Sequence, residues 1–432
     1  MNQIGALTPQ ADSSTTSTFR EAIALSVILA LALGVRLTAV IYGADLSQAR
    51  LTEYETIARN LIVHGYFGID WLNSSDPDPG PSSFMPPLYP IVLAGITAFW
   101  PQEALTIMRL FQATVSTFCC LGIYLIARDL FEGGKVTALL AAVAASLYPP
   151  FLGPVIEINT ATFEVAFLML AVYFLLRSRK RFPMRNLVVA GLLFGLAALT
   201  KATALVALPA TFLWLWVNRG KSFLRTVAQP IVMLLAATLI TILPWTIRNY
   251  GVHRAFVLIS TNRGINFWIG NNENASGEYV FPRTMNLQLI EQAVPMKEVD
   301  RDRMFFQRGL DYIRANPEQA IRLFTKKLLY SVTFRPSIGS NYTKPSPVVD
   351  IGRLVYPISY MLVLPFWVTG LWISRRQWRK HLLLYGIIAG YLAVSATFFV
   401  GTRFRTPIDP YLLIFSALTV VSVCTQLTDR SS

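Results

Sequence analysis

Ten apolar runs, near residues 21–43, 104–127, 135–150, 161–176, 187–200, 202–218, 226–247, 354–374, 381–400 and 408–426, dominate this sequence and leave it few folds. In hydrocarbon every backbone N–H and C=O has to be satisfied within the protein, so each run is predicted to be a helix. Several are shorter than the ~20 residues a perpendicular crossing needs. An eleventh run, 88–100, is shorter still. Of the 432 residues 53% are hydrophobic and only 14% charged, which places the chain among polytopic membrane proteins and excludes an ordinary soluble enzyme.

Lys and Arg gather on cytoplasmic loops, and this bias decides how 88–100 is read. If it does not cross, three basic loops share one side with the N-terminus: Arg177, Arg179, Lys180, Arg181 and Arg185, then Arg219, Lys221 and Arg225, then Arg375, Arg376, Arg379 and Lys380. The expectation is therefore an α-helical polytopic bundle of about ten transmembrane helices, eleven being the alternative, with both termini cytoplasmic. Residues 88–100 become a juxtamembrane or re-entrant helix on the outer face. The same parity puts 44–103, the turns 150–160 and 401–407, the turn at Lys201 and the segment 248–352 outside.

The expected organisation follows. Residues 1–20 form a disordered cytoplasmic tail, and 21–247 an N-terminal transmembrane module whose first outer loop is 44–103. A small mixed α/β periplasmic lobe spans 248–352, and 353–432 holds the C-terminal transmembrane helices. Within the lobe "AFVLIS" reads as a strand and "GNNENASG" as a turn; two helical patterns follow, the second opening at Asn316 and Pro317.

The net charge of +14 is first a statement about cytoplasmic loops and anionic lipid, and nucleic acid is not an expected partner. Cys119, Cys120 and Cys424 all lie in apolar runs and support no disulfide framework. His64, His253 and His381 show no metal-ligand spacing.

Several stretches, in order, resemble the bacterial family-39-type membrane glycosyltransferases of the C-type (GT-C) superfold, relatives of the protein O-mannosyltransferases. They are "EYETIARNLIVHGYFG" and "FMPPLYPIVLA" in the first outer loop, "SLYPPFLGPVIEINTATFE", "LTKATAL", "PWTIRNYGVHRAFVLISTNRGINFWIGNNENASG" and "RFRTPIDPYLLI". The resemblance implies a GT-C-like bundle in a bacterial inner membrane, its active site facing the periplasm. It also implies transfer of a hexose or pentose from a polyprenyl-phosphate carrier to a lipid, glycan or protein acceptor, with an acid in the first outer loop as the catalytic group. Where relatives carry an aspartate shortly before the "EY" pair, Ala49 and Arg50 stand here; after Thr160, where relatives carry an acid, stands Ala161. The match leaves Glu53 as the first-loop acid, Asp45 as second choice and Glu157 as the candidate in the second turn.

The chemistry asks for the same residue types. A phosphate leaves as a stable anion, so the reaction needs cations to hold it and a carboxylate to take the acceptor's proton in an inverting single displacement. On the pattern 51–63, Leu51, Tyr54, Ala58, Leu61 and Ile62 share one face, whereas Glu53 and Asn60 fall on the other. Glu53 is then either the base or the solvated side of an amphipathic helix. Glu55 lies nearer the apolar side and reads as structural. Lys201, Arg248, Arg403 and Arg405 occupy outer helix ends where the positive-inside bias does not put them, and are the candidates for the carrier phosphate. Snorkelling for Lys201 and anchoring of the lobe for Arg248 are the competing readings. No cofactor is demanded; a divalent cation, magnesium or manganese, on Glu53 and Glu157 is left open. The competing function is a transporter or flippase for a lipid-linked or anionic substrate, which would place ionisable groups near the bilayer middle rather than at helix ends.

Overall fold

The computed structural model describes residues 13–44, 52–72, 79–131, 134–180, 183–218, 227–280, 284, 286–333 and 347–431. Every one of the ten apolar runs is helical. In chain order the helices are α1 (Ser13–Gly43), α2 (Glu53–Val63), α3 (Leu88–Phe99), α4 (Ala104–Leu130), α5 (Lys135–Leu147), α6 (Gly153–Ile156), α7 (Ala161–Arg177), α8 (Pro183–Thr200) and α9 (Ala207–Asn218). There follow α10 (Gln229–His253), α11 (Arg263–Gly270), α12 (Leu287–Ala293), α13 (Glu298–Ala315), α14 (Pro317–Val332), α15 (Pro347–Ser374), α16 (Trp378–Thr397), α17 (Thr402–Arg405) and α18 (Asp409–Ser431).

The chain is an integral membrane protein. Among the described residues six stretches are long and apolar enough to cross a bilayer, or seven if α5 and Pro149–Ile156, bent by 62°, make one span. One stretch, Leu354–Thr397, is 44 residues long. At ~1.5 Å per residue it is about twice the thickness of a hydrocarbon core. A 3-10 turn, Arg375–Gln377, breaks it into α15 and α16, as a charged hairpin between two crossings would. The 17-residue α7 and the apolar Ala202–Asn218 fall below the single-span length, which is why length alone yields fewer crossings than the ten runs. The α3 helix is 12 residues, about 18 Å at that rise, too short to span alone.

The mixed α/β lobe needs correction. Among the described residues beyond α10 no strand occurs; Glu278 meets Val400 only as an isolated bridge. The strand-like "AFVLIS" lies along the end of α10, and side chains of that helix take its carbonyls. The Trp245 indole donates to Ile259 O (2.8 Å), Thr246 Oγ1 to Leu258 O (2.8 Å), and Asn249 Nδ2 to Val257 O and Ile259 O (both 3.1 Å). Its hydrogen-bonding groups therefore serve a helix, not a neighbouring strand. Asn316 and Pro317 stand where the sequence puts them, but Asn316 Nδ2 donates back to Tyr312 O, closing α13 rather than capping α14.

The lobe meets the bundle through a buried lysine. Lys327 of α14 is 1% exposed, and its ammonium donates to Phe398 O (2.9 Å), Gly270 O (3.0 Å), Asn271 Oδ1 (3.3 Å) and Thr397 O (3.4 Å). Burial pushes it down to about 8. A Cβ on Gly270 would lie 1.6 Å from Phe398 O, so only glycine allows this approach. Replacing Lys327 by Met should leave buried carbonyls without their donor, at about 1–3 kcal/mol for each group orphaned. The measurement is thermal unfolding in detergent: a midpoint equal to wild type would show that the ammonium is not the clasp.

Candidate active site

The site begins with the capping of α2. Thr52 Oγ1 accepts from Glu55 N (3.1 Å) and Glu55 Oε2 accepts from Thr52 N (2.6 Å), a capping box that spends Glu55 on the helix start. Ile57, Ala58 and Asn60 are the buried residues of this helix; Asn60, expected on the solvated face with Glu53, is instead covered, its Nδ2 donating to Gly68 O (2.9 Å). Glu53, in the first turn, is left exposed toward a cleft of about 430 Å³. This division is the one expected for Glu53 and Glu55.

Five other parts of the chain wall that cleft: Trp71, Phe84 and Met85 of the first loop, Asn159–Ala161 before and at the start of α7, Thr200–Thr203 from the last residue of α8 onward, Ser260, Asn262, Ile265, Asn266 and Ile269 of the lobe, and Phe404 of α17. Ser83 ties the first loop in place. Its Oγ donates to Asn249 Oδ1 (2.7 Å) and lies 2.8 Å from His253 Nε2, and its N–H donates to Glu298 Oε1 (2.8 Å). The loop is thereby pinned to both α10 and α13.

Lys201 reaches the cleft because α8 ends one residue before it and the chain turns into a short 3-10 segment, Ala202–Val206. Its ammonium lies 3.3 Å from Glu164 Oε2 and 4.2 Å from the centre of the Phe404 ring. Glu164 is fully buried, and its Oε1 also accepts from Tyr391 Oη (2.9 Å) and Thr203 Oγ1 (3.0 Å). Three elements, α7, α16 and the turn after α8, thus converge on one carboxylate that faces one lysine.

A second, more apolar chamber of about 530 Å³ adjoins the first and shares Ala202, Thr203, Ser260, Asn262, Asn266 and Phe404 with it. Leu205, Val206, Phe256, Val394 and Phe398 give it an apolar wall; Arg263, Asp302 and Arg303 mark one rim. Burial raises the Asp302 carboxyl above its ordinary value, against the lowering effect of the Gly264 N–H and Arg263.

The candidate residues divide accordingly. Glu53 and Lys201 line one cleft. Glu157 stands beside it, half-buried, and accepts from Asn159 Nδ2 (3.0 Å). Arg248 points at the first loop instead, donating to Ser82 O and Phe67 O (both 2.7 Å), so it anchors that loop to α10 rather than the lobe expected from the sequence. Arg405 is turned into the bundle, with Nε 3.2 Å from Asp409 Oδ1 and its guanidinium 3.7 Å from the centre of the Tyr360 ring. Asp45 lies outside the described residues, as does the side chain of Arg403. Among the described residues no three His, Cys, Asp or Glu side chains converge to hold a metal ion. Sequence reasoning missed Glu164. Its signal was an acid inside the run "ATFEVAFLMLAVYFLLR", where a charge is costly and calls for a partner.

Residues 85–247 match the family model of dolichyl-phosphate-mannose-protein mannosyltransferases. The matched segment runs from Met85 through α3, α7 and Lys201 to the last turns of α10, so the resemblance read from the sequence is borne out there. No curated protein matches. Among solved structures, the Archaeoglobus fulgidus oligosaccharyltransferase tethered to an acceptor peptide aligns over 96% of this chain and 51% of its own, with a TM-score of 0.60 at 13% identity. The same organism's enzyme AglB, solved with an inhibitory peptide and a dolichol-phosphate, aligns over 95% and 51%, with a TM-score of 0.59 at 15% identity. ArnT from Cupriavidus metallidurans, bound to undecaprenyl phosphate, aligns over 92% and 77%, with a TM-score of 0.40 at 15% identity. The chain spans about half the length of the archaeal enzyme, and over that half the two share a fold, the expected GT-C-like helical bundle.

Proposed function

We propose that this protein is a glycosyltransferase that moves a hexose or pentose from a polyprenyl-phosphate carrier to a lipid, glycan or protein acceptor. The observation that carries the reading is the pairing of chambers: a polar cleft holding Glu53 and Lys201 opens beside an apolar one suited to a lipid chain. The family match of residues 85–247 and the shared fold of an enzyme solved with dolichol-phosphate support it.

In this reading Glu53 accepts the proton of the acceptor hydroxyl as its oxygen attacks the anomeric carbon. The bond from that carbon to the phosphate oxygen breaks, and the polyprenyl phosphate leaves as an anion with inversion at the sugar. Lys201 stabilises the charge that collects on the phosphate. Purified protein incubated with a native lipid extract should convert polyprenyl-phosphate sugar to free polyprenyl phosphate when an acceptor-bearing membrane fraction is present. A sugar-lipid pool that stays constant over many enzyme equivalents would sink the assignment.

We further place the protein in a bacterial inner membrane, with the cleft and the 248–352 lobe facing the periplasm and the loops at 177–185, 219–225 and 375–380 in the cytoplasm. Cysteines at the exposed positions Glu273 and Gln377, introduced singly into a Cys424→Ser background, test this; Cys119 and Cys120 are buried. In intact cells a membrane-impermeant thiol reagent should label the first and spare the second. The reverse pattern would invert the topology.

A further inference from the structure

At the end of the bundle remote from the cleft lies a cavity of about 700 Å³ that the proposed chemistry does not use. The α7 helix joins the two ends: Ala161 stands at the cleft, and its 17 residues lead some 25 Å, at ~1.5 Å each, to the turn holding Arg179 and Lys180. Described residues on the cavity wall include Arg179 and Lys180 after α7, Arg376 and Arg379 from the α15–α16 turn and the start of α16, and Lys380. The acid among them is Asp129 at the end of α4. That carboxylate is already engaged, 3.1 Å from Lys180 Nζ and 3.9 Å from Arg177 Nε, with its side chain only 13% exposed.

The wall is also built rather than merely charged. Asn218 Nδ2, at the end of α9, donates to Arg379 O (2.9 Å) and fixes the start of α16 against α9. The guanidinium of Arg179 lies 5.7 Å from the ring centre of buried Trp214, and that of Arg379 lies 5.6 Å from the ring of Trp378. Leu130 and Leu176, both buried, form an apolar side.

We infer that this cavity binds the phosphate of an acidic phospholipid headgroup. The positive-inside bias explains cations on these loops, but it does not require that cations from separate hairpins converge on one concavity that holds, among the described residues, a single, already paired acid. Their mutual repulsion is relieved by an anion, and arginine offers a phosphate two parallel hydrogen bonds. A lipid, rather than a free phosphate, follows from the position: the cavity lies at the helix ends, where headgroups lie, and Leu130, Leu176 and Trp378 offer its acyl root an apolar and aromatic bed.

The test is native mass spectrometry and thermal unfolding of the full chain, with added phosphatidylglycerol, phosphatidylcholine or inorganic phosphate. Wild type should retain phosphatidylglycerol through detergent removal and gain stability from it, and phosphatidylcholine should do neither. The triple variant Arg179→Gln, Arg376→Gln, Arg379→Gln should bind phosphatidylglycerol about a hundredfold more weakly, from roughly 1 kcal/mol for each lost cation. A control with the same loss of charge on the lobe, Arg308→Gln, Arg314→Gln, Arg322→Gln, should bind like wild type; size-exclusion profiles guard against misfolding. Equal retention of phosphatidylglycerol by the triple variant, or of phosphatidylcholine by wild type, overturns the site. Stabilisation by millimolar inorganic phosphate that matches and displaces the lipid overturns the lipid as its ligand.

Discussion

Changing Glu53 to Gln is expected to lower the rate of sugar transfer by roughly 10²–10⁴, the usual contribution of a positioned proton acceptor. The amide keeps the size and the hydrogen-bonding reach of the carboxylate but cannot take a proton. Folding should be nearly untouched, because the α2 cap is made by Thr52 and Glu55 and Glu53 is exposed. What Glu53 gives the helix is an acid in its first turn, worth about 0.3–1 kcal/mol. Glu55→Gln supplies the contrast. It weakens the capping box, at a cost within the ~0.5–2 kcal/mol range of cap substitutions, and should leave most turnover in place. The measurement is initial-rate transfer from purified polyprenyl-phosphate sugar, with melting curves for each variant. If Glu53→Gln retained activity within about threefold of wild type, far inside the expected range, the base would lie elsewhere and Asp45 and Glu157 would be next.

The helices were legible because an apolar run in a membrane chain has one local solution for its backbone groups, and all ten runs took it. The same local logic separates Glu53 from Glu55 by their places on the pattern 51–63, and the structure supplies a further local reason in the Thr52–Glu55 capping box. It failed at "AFVLIS". Whether an extended apolar segment pairs with a strand or lies along a helix depends on Trp245, Thr246 and Asn249, whose partners no propensity reveals. The cations show the same limit. Lys201 and Arg248 look alike in sequence, each a positive charge at an outer helix end. Arg248 reaches back 166 residues to Ser82 and 181 to Phe67, and only the tertiary fold says so. Arg405 had a local clue, since Asp409 stands four residues on, one helical turn away. Glu164 is hidden for the opposite reason: it is absorbed into an apolar run, and from the sequence its partner Lys201 reads as facing the carrier phosphate or snorkelling, with no acid assigned to it.

The Glu164–Lys201 pair carries the second large effect, and two variants together separate its two roles. Lys201→Met is expected to cost about 3–5 kcal/mol of stability, because it strands a buried carboxylate whose Tyr391 and Thr203 donors supply no countercharge. It should also cost turnover. If the ammonium holds the departing phosphate, its removal should slow transfer by roughly 10²–10³, as loss of one charge-stabilising donor does elsewhere. The single variant confounds these losses, since a destabilised site is also a displaced one. Adding Glu164→Gln resolves them. The amide has no charge to strand, keeps an oxygen for Tyr391 and Thr203, and should return most of the lost stability. Replacing both members of a buried pair is commonly far milder than replacing one. Turnover, however, should stay low in the double variant, because the cation facing the cleft is still missing. A double variant that regained the wild-type melting point and wild-type transfer together would show that Lys201 is in the cleft only to neutralise Glu164.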